Sequence, residues 1–346
     1  MLRVAADFPT ANGTIVALPD GTILLDRDMR DSTGDRWYWH VRLHASTDVV
    51  ARFRMARPSL LGQYGPAVQD GGPYAWLHRE PGPDGRFEVA LTAATETKLC
   101  ATLPYGLRDI AAFRGHVGPD VAWRTLALSE RLRQVPLLAV PAPAAERLIV
   151  LTARHHACEA TASYVLEGAV ACFIAHRRDG HRATAGCELL AAPMLDVDGV
   201  HQGDQGKARL PWDHNRDYGP RSMYRAVAAL RALLSAEART IYALDLHTPG
   251  LRGPMEERPY IVCSGDADDH DRASDLIAAF DQADHDDPAD RPAELIFDEE
   301  WNSPNACGQR SCAAWMRSCG TNRLGLTIEY PNAVDRGVPV TSTRAR

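Results

Sequence analysis

The chain has 346 residues, 45% hydrophobic and 24% charged, which is the make-up of an ordinary globular protein with room for two domains. A net charge of −7 at pH 7 argues against a general nucleic-acid or anionic-membrane surface. No apolar run approaches the length that crosses a bilayer, and the opening MLRVAADFPT lacks an apolar signal core, so a cytoplasmic location is expected.

In chain order, residues 1–112 read as all-β. Thr14 to Leu18 and Thr22 to Leu25 flank Pro19-Asp20-Gly21, a hairpin signal. Trp37, Trp39, Val41 and Leu43 alternate with polar positions, the period of two that gives a strand one buried face. Short runs at Tyr74–Leu77, Phe87–Leu91 and Lys98–Leu103 follow between Gly and Pro clusters, and a small β-sandwich domain is expected. From 113 to 346 strands alternate with helices. A helix is predicted over Ala122–Arg133, an edge strand over Leu137–Val140, and a strand, loop and helix over 148–176. Leu189–Leu195 is a strand, and Met223, Ala226, Val227, Leu230, Leu233 and Leu234 share one helical stripe. Strands at 241–246, 259–263 and 324–330, with a shorter run at 295–297, complete an α/β domain with a mixed central sheet and helices on both faces. The tail from Asp335 is expected to fray.

Eight cysteines contain no Cys-x-x-Cys pair and read as buried thiols of a reducing compartment; Cys307, Cys312 and Cys319 lack a nearby His and make a poor zinc knuckle. Asp196-Val197-Asp198-Gly199 reads as a structural turn, because its glycine comes too early for a calcium loop. The acidic run Asp266–Asp290, with His270 and His285, reads as a solvated loop and short helix; leaning over a cleft, it would favour basic substrates.

Leu148–Thr152 is the apolar run of a buried strand, and His155, His156 and Glu159 follow directly, where site residues sit in an α/β sheet. A His and a carboxylate separated by two residues can converge on one metal ion, and zinc in hydrolases commonly takes two His, one Glu and a water. His247, at the end of the run Ile241–Leu246, supplies a third donor. Asp245, two residues earlier, is expected to point to the opposite face of that strand.

Taken in order, His156-x-x-Glu159, Asn215-Arg216, the strand-end His247 and the strand-end Glu329 resemble the zinc carboxypeptidase family, most closely its cytosolic-carboxypeptidase-like branch. The resemblance spans most of the chain, although the β-domain matches only in general form. It selects His156 over His155, and implies Zn2+ on His156, Glu159 and His247, with Glu329 as general base. It implies also that Asn215 and Arg216 hold the terminal carboxylate of a peptide or protein substrate. Leu103-Pro104-Tyr105 looks like the element that joins the β-domain of that branch to its catalytic domain. Three departures stand out. Gly206 occupies the position of the family's oxyanion arginine, so Lys207 is the candidate replacement and Arg209 the second. Cys158 alters a substrate subsite. No tyrosine, Tyr260 and Tyr330 included, matches the family's capping residue.

The reading is a cytoplasmic zinc metallocarboxypeptidase. Its rivals are a related zinc amidohydrolase acting on N-acyl amino acids or cell-wall peptides, and a binding module without catalysis. No nucleic-acid or membrane partner is expected, and the oligomeric state is not encoded in these patterns.

Overall fold

A computed structural model describes residues 1–78, 81–253, 255–264, 267–282, 292–297, 299, 302, 311–335 and 337–345. Cys307 and His285 lie outside the described residues. Alternation builds the first part. Strands β1 (Leu2–Ala5), β2 (Thr14–Ala17), β3 (Ile23–Asp26), β4 (His40–Ala45), β5 (Val49–Met55), β6 (Ala67–Asp70), β7 (Ala75–Trp76), β8 (Arg86–Leu91) and β9 (Glu96–Cys100) form two sheets, ordered β1-β4-β9-β6-β7 and β2-β3-β5-β8. In β8, Phe87, Val89 and Leu91 are buried while their neighbours are exposed, as a half-solvated sheet requires. Trp39, Val41, Leu43, Phe53 and Leu99 share one core, and Phe53 stacks on Phe87 at 5.1 Å. Burying each such side chain is worth ~1.5–3 kcal/mol. The expected hairpin forms: Thr14 pairs with Asp26, and Gly21 takes the left-handed φ of +79° that the turn needs.

Helix α1 (Leu107–Val117) leads into a larger sheet. Its elements are β10 (Ala122–Leu128), β11 (Gln134–Val140), β12 (Arg147–Ala153), α2 (Ala160–Arg178), β13 (Cys187–Ala192), α3 (Val197–Gln202), α4 (Arg225–Ser235), β14 (Thr240–His247), β15 (Tyr260–Val262), α5 (Ala267–Gln282), β16 (Ala293–Leu295), α6 (Cys312–Ser318) and β17 (Arg323–Glu329). The eight strands run in the order β10-β11-β13-β12-β14-β17-β15-β16. Strands β13, β12, β14 and β17 are parallel, which is why they are nearly continuous apolar runs. Both faces are covered. Leu148 and Val150 join a core with α4 and α6, whereas Leu151 and Ala153 join one with α2 and α5. The register sets Thr152 beside Asp245 and His247 beside Glu329, so one end of the sheet gathers the polar residues. Among the described residues no helix is long and apolar enough to cross a membrane.

Several expectations are corrected. Ala122–Leu128 is a strand, because a bulge between Thr125 and Ala127 breaks its period of two and imitates a helical pattern. Strand β11 is not at the edge; β10 covers it. Met223 is exposed and precedes α4. Among its described residues the tail is held rather than frayed: β18 (Val334–Asp335) pairs with β19 (Val338–Pro339), Trp76 Nε1 donates to the Val340 carbonyl, and a last turn α7 (Ser342–Ala345) follows. Helix α5 is longer than the short helix expected in the acidic run.

Candidate metal centre and active site

Strand β12 delivers the chain to a tight loop. Arg154 takes a left-handed φ of 61°, and its buried guanidinium donates to the carbonyls of Ala157 and Tyr105. Tyr105 in turn donates to Glu167 at 2.6 Å, and Tyr164 donates to Pro104 O at 2.8 Å, so the Pro-Tyr segment buttresses the loop against α2. Gly206 closes against the loop from outside. A Cβ there would lie 2.2 Å from Ala157 N, and φ is +82°. No arginine fits that position, and the next residue, Lys207, takes over the cleft side, its Nζ 3.6 Å from Glu159 Oε1.

His156, Glu159 and His247 come together in the interior. His156 Nδ1 lies 2.8 Å from Glu159 Oε1, His247 Nδ1 lies 2.7 Å from Glu159 Oε2, and the two Nδ1 atoms are 3.2 Å apart. All three side chains are buried. The far nitrogens face carboxylates: His156 Nε2 is 3.2 Å from Asp213 Oδ1, and His247 Nε2 is 2.9 Å from Asp245 Oδ2. The His247 contact is a hydrogen bond, and an imidazole whose far N–H meets a carboxylate keeps its near lone pair for a metal; at His156 the carboxylate is a close charge neighbour. The donor set, two imidazoles and one carboxylate open toward a cleft, fits zinc. His155, Asp245 and His247 form a second overlapping cluster. Its members are engaged with one another and with Tyr218: His155 Nε2 is 2.7 Å from Tyr218 OH, and His155 Nδ1 lies 2.8 Å from Asp245 Oδ1 as a close charge contact. Asp245 therefore does not point away from His247. Residues two apart on a strand share a face, and the opposite-face expectation is corrected.

The electrostatics favour positive charge between these groups. Burial would push the Glu159 carboxyl up, but the His156 and His247 imidazoles and Lys207 outweigh it and hold the group well below the usual range. Burial opposes charge on His247, yet Asp245 and Glu159 raise it well above an ordinary imidazole. Glu329 ends β17 beside His247, is buried, and has Oε2 without a hydrogen-bond partner. Burial raises its carboxyl above the usual range, with Lys207 pulling the other way.

A cleft opens here, lined by His156, His247, Glu329, Lys207, Arg216 and Arg317 among others. Asn215 also lines it, from a one-turn 3-10 helix, but its amide is engaged: Oδ1 accepts from Cys312 N at 2.9 Å and Nδ2 lies 3.0 Å from His247 Nε2. Arg216 Nη1 donates to Asn215 O at 2.8 Å. Other candidates lie elsewhere. Arg209 is locked among Asp31, Asp196 and Asp204, so it is no replacement for an oxyanion cation. His214 stacks on Tyr224 at 3.5 Å, and burial pushes it down to about 4. Cys158 is buried against the β-domain core. Neither Tyr260 nor Tyr330 is among the residues lining the cleft, and cations rather than the acidic run of α5 line it among the described residues. Asp213 shows in the sequence only as a carboxylate two residues before Asn215, with no signal of its role beside His156, and Arg317 comes from a short helix outside the predicted elements.

No protein-family model and no curated protein matches the sequence. Solved structures do match. The chain is similar to a metallo-carboxypeptidase from Burkholderia cenocepacia, with a TM-score of 0.80 and 19% identity over 100% of this chain and 95% of that one. It is similar to a putative carboxypeptidase A from Shewanella denitrificans OS-217 (TM-score 0.78, 17% identity, 99% and 94% of the two chains). A metallo-carboxypeptidase from Pseudomonas aeruginosa, in complex with (2-guanidinoethylmercapto)succinic acid, matches with a TM-score of 0.77 and 16% identity over 99% and 95%. This is the metallo-carboxypeptidase fold. Within that fold, the buried His156–Glu159–His247 group sits where the parallel strands β12 and β14 end, the usual address of a site in a parallel sheet.

Proposed function

We propose that the chain is a zinc-dependent metallocarboxypeptidase that removes a C-terminal residue from peptides or proteins. The observation that carries this is the convergence of His156 Nδ1, Glu159 and His247 Nδ1 within 3.2 Å of one another, with Glu329 on the adjoining strand tip. A zinc ion on those three donors would supply Lewis acidity, lowering the pKa of a water in its open position to about 7. Asp213 and Asp245 hold the two imidazoles in the tautomer that presents Nδ1 to the site. Glu329, kept basic enough by its burial, takes the attacking water's proton and returns it to the departing amine. Lys207 faces the charge that develops on the carbonyl oxygen, in place of the missing arginine. Arg216 grips the substrate's terminal carboxylate through its fork of N–H groups. Asn215 contributes by holding the first turn of α6, its Oδ1 accepting from Cys312 N, as much as by touching substrate.

The cleft also favours acidic chain ends, as the cytosolic-branch resemblance suggests, because Arg317 joins Lys207 and Arg216 in its lining. The test is metal analysis joined to a C-terminal peptide-library digest. One zinc at the His–Glu–His centre and stepwise loss of C-terminal residues support the proposal. Cleavage of acyl-amino acids alone would assign the site to an amidohydrolase instead.

A further inference from the structure

A second cluster of metal-binding side chains lies at the far edge of the large sheet. Cys263 follows β15, Glu294 is the middle residue of β16, and His270 stands in the first turns of α5, which packs over both. Their ligand atoms all lie within 4.8 Å of one another, and His270 Nδ1 is 3.8 Å from Glu294 Oε2. A tetrahedral zinc with bonds of about 2.0–2.3 Å sets its ligand atoms roughly 3.3–3.7 Å apart, so the cluster needs only side-chain adjustment to close. The backbone beneath is fixed. Cys263 N donates to Leu295 O at 3.0 Å, and fully buried Asn302 donates to the carbonyls of Cys263, Leu295 and Ile296. His270 and Ser274 lie one helical turn apart and both face Glu294, Ser274 Oγ at 3.3 Å from Oε1, so the carboxylate is already aimed. Cys263 is buried, while His270 and Glu294 are partly exposed, leaving an entry path from solvent.

We propose that Cys263, His270 and Glu294 form a second divalent-metal site, with a water as fourth ligand and zinc as the ion this set suits. A thiolate selects against magnesium and calcium, and a mixed sulfur, nitrogen and oxygen set is one that zinc accepts. Binding releases the thiol proton to solvent and leaves the Cys263 sulfur as the anionic ligand. The site is distinct from the His156–Glu159–His247 centre but adjoins it, because Cys263 also lines the cleft. An ion there would stiffen the cleft wall formed by the end of β15.

Cobalt(II) titration of the full-length apoprotein tests this, because only a thiolate ligand gives a near-ultraviolet sulfur-to-cobalt charge-transfer band. Two equivalents are expected to bind, one of them raising the band. Cys263→Ser should remove the band and one equivalent, and His270→Ala should weaken that equivalent by more than the ~10–100-fold that loss of an outer-shell partner causes. His247→Ala should remove the other equivalent and leave the band, so failure of the catalytic-site reading cannot be mistaken for failure of this one. Wild-type protein without the band, or a band that survives Cys263→Ser, overturns the proposal.

Discussion

Asp245→Asn replaces one carboxylate oxygen by an amide nitrogen and should weaken zinc binding at the proposed His156–Glu159–His247 site. The Thr152 hydroxyl donates to Asp245 Oδ1 at 2.7 Å, and His155 Nδ1 lies 2.8 Å from the same oxygen. In the variant these contacts keep the amide oxygen on that side and turn the NH2 toward His247 Nε2, now 2.9 Å from Asp245 Oδ2. An NH2 donates, so Nε2 must accept, and the ring proton moves to Nδ1. The Asn215 amide, 3.0 Å from the same Nε2, reinforces that tautomer. Nδ1 then has no lone pair for zinc. Loss of an outer carboxylate of this kind weakens metal binding by about 10–100-fold, or ~1.4–2.7 kcal/mol; a tautomer locked the wrong way puts the expected value at the upper end. Competition of apoprotein with a zinc chelator measures it, with the melting temperature of the metal-free protein as a control for folding. Unchanged zinc affinity in a folded Asp245→Asn protein would refute the tautomer argument.

Three further outcomes are expected. Glu329→Gln should keep its zinc and lose turnover by ~10²–10⁴-fold, as removal of a general base does; undiminished kcat removes it from that role. Arg317→Ala should lower kcat/KM for peptides ending in Glu or Asp while sparing apolar ends, and equal losses on both would dismiss it as a side-chain selector. His40 provides a pH test. It is buried between Thr10 and Tyr74, and burial pushes it down to about 3, against ~6.5 when unfolded. The unfolded state binds the extra proton, so this contribution to stability is complete above pH 6.5 and is lost as the pH falls toward 3. Between pH 6.5 and 5 the loss is up to ~2 kcal/mol. Urea melts of wild type and His40→Asn should therefore converge on acidification, and parallel curves would contradict it.

Much of this was legible in the sequence, for a physical reason. Parallel central strands are buried on both faces, so β12, β14 and β17 announced themselves as apolar runs, and their ends pointed to His156, His247 and Glu329. Gly206 stands out in the sequence as a departure from the family pattern, but only its close approach to Ala157 explains why no side chain fits there. What failed was local pattern under tertiary control. The bulge in β10 disguised a strand, and the tail is held by Trp76 and Tyr64, more than two hundred residues earlier in the chain, which no local periodicity records. Arg317 depends on α6, a helix of seven residues whose capping Ser311 is a weak signal alone. Asp245 shares a strand face with His247, as the two-residue period of β14 requires, so its place beside the imidazole follows from strand geometry.

The most direct measurement follows the products of one peptide offered with a free and with an amidated C-terminus to zinc-loaded protein, by mass spectrometry. Loss of single residues from the free end, little from the amidated end, and that difference erased by Arg216→Ala is the expected result. Cleavage at internal bonds, or equal attack on both peptides by the wild type, would contradict a site built to read chain ends.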